Sequence, residues 1–191
     1  MFRYLAVVLV LFFASPAIAD GPSYNFIQLS YQSVDLDDDS DFNIDGDGYG
    51  LLGSFEIGDS MFGFASYGKT DFDFGVELTQ LQAGLGYRVG LTDNTDFYAS
   101  LAYVEADLDA SGFRSSDDSG YGATIGVRSI VTDLIELYGE VAYVDFGDGD
   151  NTGLGAGIWF NLTDSFALGV GAARDDDATA FGAGVRLYFG R

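Results

Sequence analysis

The sequence predicts an all-β chain: a transmembrane, antiparallel, up-and-down β-barrel of ten strands, with eight as the alternative. Three observations carry this expectation. Apolar residues recur at every second position over ten separate stretches, the period of a β-strand with two unlike faces. Short turns and long acidic connections alternate along the chain, so its unit is the hairpin. The apolar set runs for about five positions per strand, close to what a tilted strand needs to cross a bilayer.

Residues 1–19 read as a secretory signal peptide. Arg3 supplies the positive start, 5–13 the apolar run, and Ala17-Ile18-Ala19 the small-residue exit. That run is too short to cross a membrane as a helix. Residues 20–191 then form one barrel domain, and no linker divides them.

Composition narrows the function classes. The chain has no cysteine, so no disulfide holds this exported protein together. It has no histidine, the commonest general base and zinc ligand. A formal charge of −22 argues against a nucleic-acid partner, which calls for a basic footprint. At 48% hydrophobic and 16% aromatic residues the chain is not disordered by composition. Twenty-seven glycines against two prolines suit many-stranded β structure.

Taken in order, the strands are expected at 24–34, 48–58, 61–69, 79–91, 96–106, 120–131, 134–144, 153–162, 165–174 and 180–189. Four tight turns, Gly58-Asp59, Thr92-Asp93, Thr132-Asp133 and Thr163-Asp164, join them pairwise. The acidic stretches 35–47, 70–77, 107–119, 145–152 and 175–178 are the long loops. The clearest hairpin surrounds Thr132-Asp133. Tyr121, Ala123, Ile125, Val127 and Val131 share one face before the turn, and Ile135, Leu137, Val141 and Tyr143 continue it. The other face carries Gly122, Thr124, Gly126 and Arg128, then Glu136, Tyr138 and Glu140.

The same division recurs in the other hairpins. A soluble barrel would turn the apolar set inward, and a membrane barrel turns it to lipid. The membrane arrangement is favoured because Lys69 is the chain's one lysine, and because aromatics lie at both ends of the apolar set. Tyr31, Tyr67, Tyr103, Tyr121 and Tyr143 mark the loop end, and Phe55, Phe97, Phe160, Phe166 and Phe189 the turn end. In such barrels the turns are periplasmic, the loops are extracellular, and an even strand number puts both termini in the periplasm.

The chain resembles the small outer-membrane β-barrel proteins of Gram-negative bacteria, of the OmpA-transmembrane, OmpX and opacity-protein kind. It is especially similar to a compact xanthomonad-type group that opens with Ser-Tyr-Asn-Phe, here Ser23 to Phe26. The resemblance implies a cell-surface location and a final strand read by the barrel-assembly machinery. Leu187-Tyr188-Phe189 fits that signal, although Gly190-Arg191 follows it. Members of the group are described as adhesins, structural proteins or porin-like proteins. Outer-membrane barrels that are enzymes are taken to use histidine with Asp or Ser, so their mechanisms do not carry over to a chain without histidine.

Three sets of residues are candidate sites. The inward charges Arg88, Arg128, Arg186, Glu56, Glu136 and Glu140 form either a structural ion-pair network filling the lumen or a selectivity constriction. Inward glycines facing Phe62, Phe64, Tyr98, Tyr138 and Trp159 suit either tight packing or an apolar conduit. Asp41, Asn43, Asp45 and Asp47 lie in a stretch resembling the start of a calcium loop, but Leu52 stands where a bidentate glutamate belongs. They offer a weak site for divalent cations, which would bridge the acidic loops to lipopolysaccharide phosphates. No cofactor is expected, and adjacent loop acids such as Asp117-Asp118 read as solvated rather than catalytic. The expected function is a non-enzymatic outer-membrane protein contributing to envelope integrity and surface contact. The alternative is a narrow porin-like channel for ions or small solutes.

Overall fold

The computed structural model describes residues 21–36, 44–110, 116–147 and 149–190. The expected signal peptide lies outside them. Ten strands close into one barrel: β1 Phe26–Leu36, β2 Ile44–Ile57, β3 Met61–Phe72, β4 Val76–Thr92, β5 Thr95–Ala110, β6 Ser116–Thr132, β7 Ile135–Asp145, β8 Asp150–Thr163, β9 Phe166–Arg174 and β10 Ala178–Tyr188. Every strand pairs antiparallel with its sequence neighbours, and β1 pairs with β10, so no ladder edge remains along the wall. Ten strands are present, not eight.

The strands differ from expectation mainly at the loop end, where most run further. β2 begins at Ile44 rather than 48, β5 runs to Ala110, and β6 begins at Ser116 rather than 120. The reason is physical. Above the bilayer the outer face no longer has to be apolar, so the hydrophobic alternation fades while the hydrogen-bonded ladder continues. The stretch expected as a loop at 70–77 shrinks to a single 3-10 turn at Asp73–Gly75.

Threonines close two of the tight turns. The Thr132 hydroxyl accepts the Ile135 N–H at 3.1 Å, and the Thr163 hydroxyl accepts the Ser165 N–H at 3.3 Å. Each of these turns is preceded by a one-residue slip in the ladder, at 130–132 and 161–163.

The apolar set faces outward. Leu101 is 71% exposed and Tyr121 73%, and Leu29, Leu51, Leu85, Ile125, Val170 and Phe181 share that face. The core is the lumen. Near the loop end Val34, Leu36, Phe72, Leu78 and Ala178 form an apolar layer. Ala102, Val104, Ala142, Val144 and Ala173 form a second one. Towards the turn end the filling becomes aromatic and ionic, with Phe26, Trp159, Tyr138 and Tyr188 on one side and Tyr24, Phe62 and Tyr98 on the other.

Candidate functional site

The turn end of the lumen holds most of the buried charge. Arg128 on β6 and Glu136 on β7 flank the Thr132-Asp133 turn on inward positions, so the hairpin brings them together. Arg128 Nε donates to Glu136 Oε1 at 3.1 Å, and the two side chains are 2% and 0% exposed. In so dry a place each ion requires the other. Arg128 also donates from Nη2 to the Ser23 carbonyl at 3.3 Å and lies over the Tyr24 ring at 4.2 Å.

Arg88 on β4 occupies the same height. Its Nη1 donates to Asp96 Oδ2 at 3.2 Å and to the Pro22 carbonyl at 3.3 Å, and its Nη2 approaches Glu56 Oε1 at 3.6 Å. It too faces the Tyr24 ring, at 5.1 Å. Glu56 on β2 accepts the Tyr24 N–H at 3.0 Å and the Asn25 side-chain amide at 2.8 Å, and its own N–H donates to Asn25 Oδ1 at 2.8 Å.

Arg186 on β10 stands apart from these pairs. It is wholly buried and donates to Gln28 Oε1, with Nε at 3.1 Å. Its guanidinium lies over Trp159 at 3.9 Å and over Phe26 at 4.2 Å, an aromatic clamp that supplies cation–π attraction. Glu140 on β7 meets a hydroxyl: Tyr98 donates to its Oε2. The six charged residues picked from the sequence are thus distributed over separate groups, Arg128 with Glu136, Arg88 with Glu56, Arg186 with Gln28, and Glu140 with Tyr98.

Two further residues complete the turn end, and alternation does not single out either. Asp96 directly follows the Thr92–Thr95 turn and looks like one more turn acid, yet it points inward and is 3% exposed. Alternation predicts Tyr24 as the first residue of strand one. It precedes β1 instead, and its ring lies within the barrel mouth, stacked on Phe62 at 4.5 Å and edge-on to Tyr98 at 6.5 Å. Its inward parity matches that of Phe26 and Gln28, so alternation alone could not separate an arm from a strand.

The glycines opposite aromatics are close approaches. A Cβ on Gly169 would stand 2.5 Å from the Trp159 ring, and one on Gly157 would stand 2.5 Å from the Tyr138 ring and 2.6 Å from the Val170 carbonyl oxygen. Between the Tyr24 layer and the upper lumen a cavity remains, lined by Tyr24, Ser54, Phe62, Tyr98, Ser100 and Thr124 among others; its volume is ≈ 40 Å³, room for a few waters.

Of the candidate cation ligands, Asp41 and Asn43 lie outside the described residues. Asp45 and Asp47 sit in β2 and point outward, where Tyr31 donates to Asp47 Oδ1 at 2.7 Å. Among the described residues no group of three or more acidic side chains is arranged to hold a metal ion.

Residues 5–189 match the family model described as outer membrane protein beta-barrel domain. The chain belongs to this family. That membership places it in the outer membrane as an integral barrel. No curated protein sequence matches it. Among solved structures, an outer membrane channel from Pseudomonas putida F1 is similar over 92% of this chain and 100% of its own, at 14% identity and a TM-score of 0.60. The translocator domain of the autotransporter NalP from Neisseria meningitidis is similar over 88% and 89%, at 8% identity and a TM-score of 0.53. Neisserial surface protein A covers 86% of this chain and 96% of its own, at 18% identity and a TM-score of 0.47. At such identities the likeness to this outer-membrane barrel is one of fold.

Proposed function

We propose that the protein is a non-enzymatic outer-membrane barrel that contributes to envelope integrity and presents an acidic surface for contact outside the cell. One observation carries this reading: side chains occupy the lumen near both ends. Tyr24 with Arg88, Arg128 and Glu136 occupies the turn end, and Val34, Leu36, Phe72 and Leu78 form an apolar layer at the loop end. A conducting path needs polar groups or water along its length, and an apolar layer of this kind excludes both.

In this reading the turns and both termini face the periplasm. The last strand, ending near Phe189, is the segment the assembly machinery reads. The outward acids of the long strands meet lipopolysaccharide, with divalent cations between carboxylate and phosphate. The absence of histidine and cysteine from the sequence supports a non-enzymatic role.

Conductance across a planar lipid bilayer tests the reading. The purified barrel is expected to give no discrete open steps. Regular steps of one size would replace this function with that of a narrow channel. Deleting the gene is expected to sensitise cells to detergents and to large antibiotics that an intact outer membrane excludes.

A further inference from the structure

The arm that precedes β1 crosses the barrel mouth. Gly21 lies against Asp93 and Asp96 at the far wall, Pro22 to Tyr24 pass beneath the two arginines, and Asn25 joins the ladder through the Phe189 N–H at 3.2 Å. We infer that residues 22–25 are a releasable stopper, which leaves its seat while the barrel stays folded and so opens the lumen cavity to solvent at the turn end.

Three features support release over permanent closure. The seat is complete without the arm. Arg128 keeps Glu136, and Arg88 keeps Asp96 and Glu56, so withdrawal leaves none of these ions without its partner. Beyond a backbone bridge at Pro22, the arm is held by side chains: Glu56 on the neighbouring strand β2, and Arg88 and Arg128 across the mouth. Contacts of this kind open locally at far lower cost than a strand pulled from the middle of the wall.

The third feature is the cavity behind the arm. The seated Tyr24 borders a space of ≈ 40 Å³ rather than close-packed atoms on that side. Side-chain surface that faces a void forfeits the dispersion contacts a packed neighbour would supply. The seated state is therefore held with less margin than its many contacts suggest. Phe26, Leu52, Phe62, Phe64 and Tyr98 make the walls largely apolar, and among the described residues no carboxylate lines them. Among the described lining residues the cation is Arg128, which is already paired with Glu136, so the opened chamber suits small uncharged solutes. The apolar layer at the loop end stays in place throughout, so the inference requires no conduction and stands or falls apart from the bilayer measurement.

The test uses the absence of cysteine. Ser54→Cys, a one-atom change, places a single thiol in the cavity wall. The folded barrel, in detergent, is treated with methyl methanethiosulfonate, a small neutral thiol reagent. A measurable rate is expected with the native arm, rising roughly ten-fold in Ser54→Cys/Tyr24→Ala. A thiol that never reacts beneath the native arm but reacts in the double variant would mark a fixed cork and overturn the inference. Equal rates in the two proteins would overturn it as well, since the arm would then guard nothing.

If Tyr24→Ala does not fold, as judged by loss of the heat-modifiable band, Asn25→Ala replaces it and removes two hydrogen bonds to Glu56. Amide hydrogen exchange on the wild-type protein gives a second reading. The Tyr24 N–H is expected to exchange about a hundred-fold faster than the ladder amides of β1, and equal protection would refute release.

Discussion

Asp35 on β1 stands directly opposite Asp45 on β2, and both carboxylates point outward just above the tyrosine band. The pattern continues around the wall. Asp47 pairs with Asp71, Asp71 with Glu77, Glu77 with Asp109, and Asp107 with Asp117. Lys69 offsets part of this belt, its Nζ lying 2.6 Å from Glu77.

Like charges directly opposite across a ladder destabilise it, so Asp45→Asn is expected to raise the temperature at which the barrel unfolds. Salt screens exposed charges, and the gain is expected to shrink as ionic strength rises towards ~1 M. Heat-modifiability midpoints at low and high salt check both parts.

Arg128→Ala and Glu136→Ala are each expected to cost about 3–5 kcal/mol, because each strands a buried ion. The double variant Arg128→Met/Glu136→Leu is expected to lose less than the sum of the two single changes, since it leaves no lone charge. Urea unfolding in lipid vesicles measures the cycle. Unchanged stability in both single variants would remove the pair from the list of what holds the turn end.

Glycine positions separate the two faces. Gly169→Ala pushes a methyl group into the Trp159 ring and is expected to cost about 1–3 kcal/mol. Gly53→Ala adds its methyl on the outer wall, where among the described residues no atom beyond its own chain neighbours lies within 4 Å, and is expected to fall within about 0.5 kcal/mol of wild type. Equal losses at both positions would contradict the assignment of faces.

Leu101 sits on the outer face between Leu85 and Ala123. Leu101→Arg is expected to cost about 2–4 kcal/mol in a lipid bilayer, the range for a cation on the lipid face near the midplane. Folding yields in vesicles check it, with Leu101→Ala as the control for lost packing.

Much of this architecture is legible in the sequence, because a bilayer imposes a strict rule on one face of every strand. Tyr121 through Val131 alternate so plainly that lumen and lipid separate by parity alone. The Arg128–Glu136 contact could be anticipated because a tight turn fixes the register of its own two strands. Arg186 and Gln28 could not be matched in that way. They meet across the β1–β10 seam, which no turn spans, and the register there follows only from closure of the whole ring. Glu140 illustrates a second limit. Parity shows that it points inward, but whether it meets an arginine or the Tyr98 hydroxyl depends on side-chain reach across β6, which lies between β5 and β7.

The Val34–Leu36–Phe72–Leu78 layer has a further consequence for how the protein responds to temperature. Apolar association weakens on cooling, and the cost of keeping charges out of water falls on heating. Both seals of the lumen therefore tighten on warming and loosen on cooling. Cold is thus the condition in which the two ends of this barrel are held least firmly, and heating from a low temperature firms the apolar layer and the ionic one together.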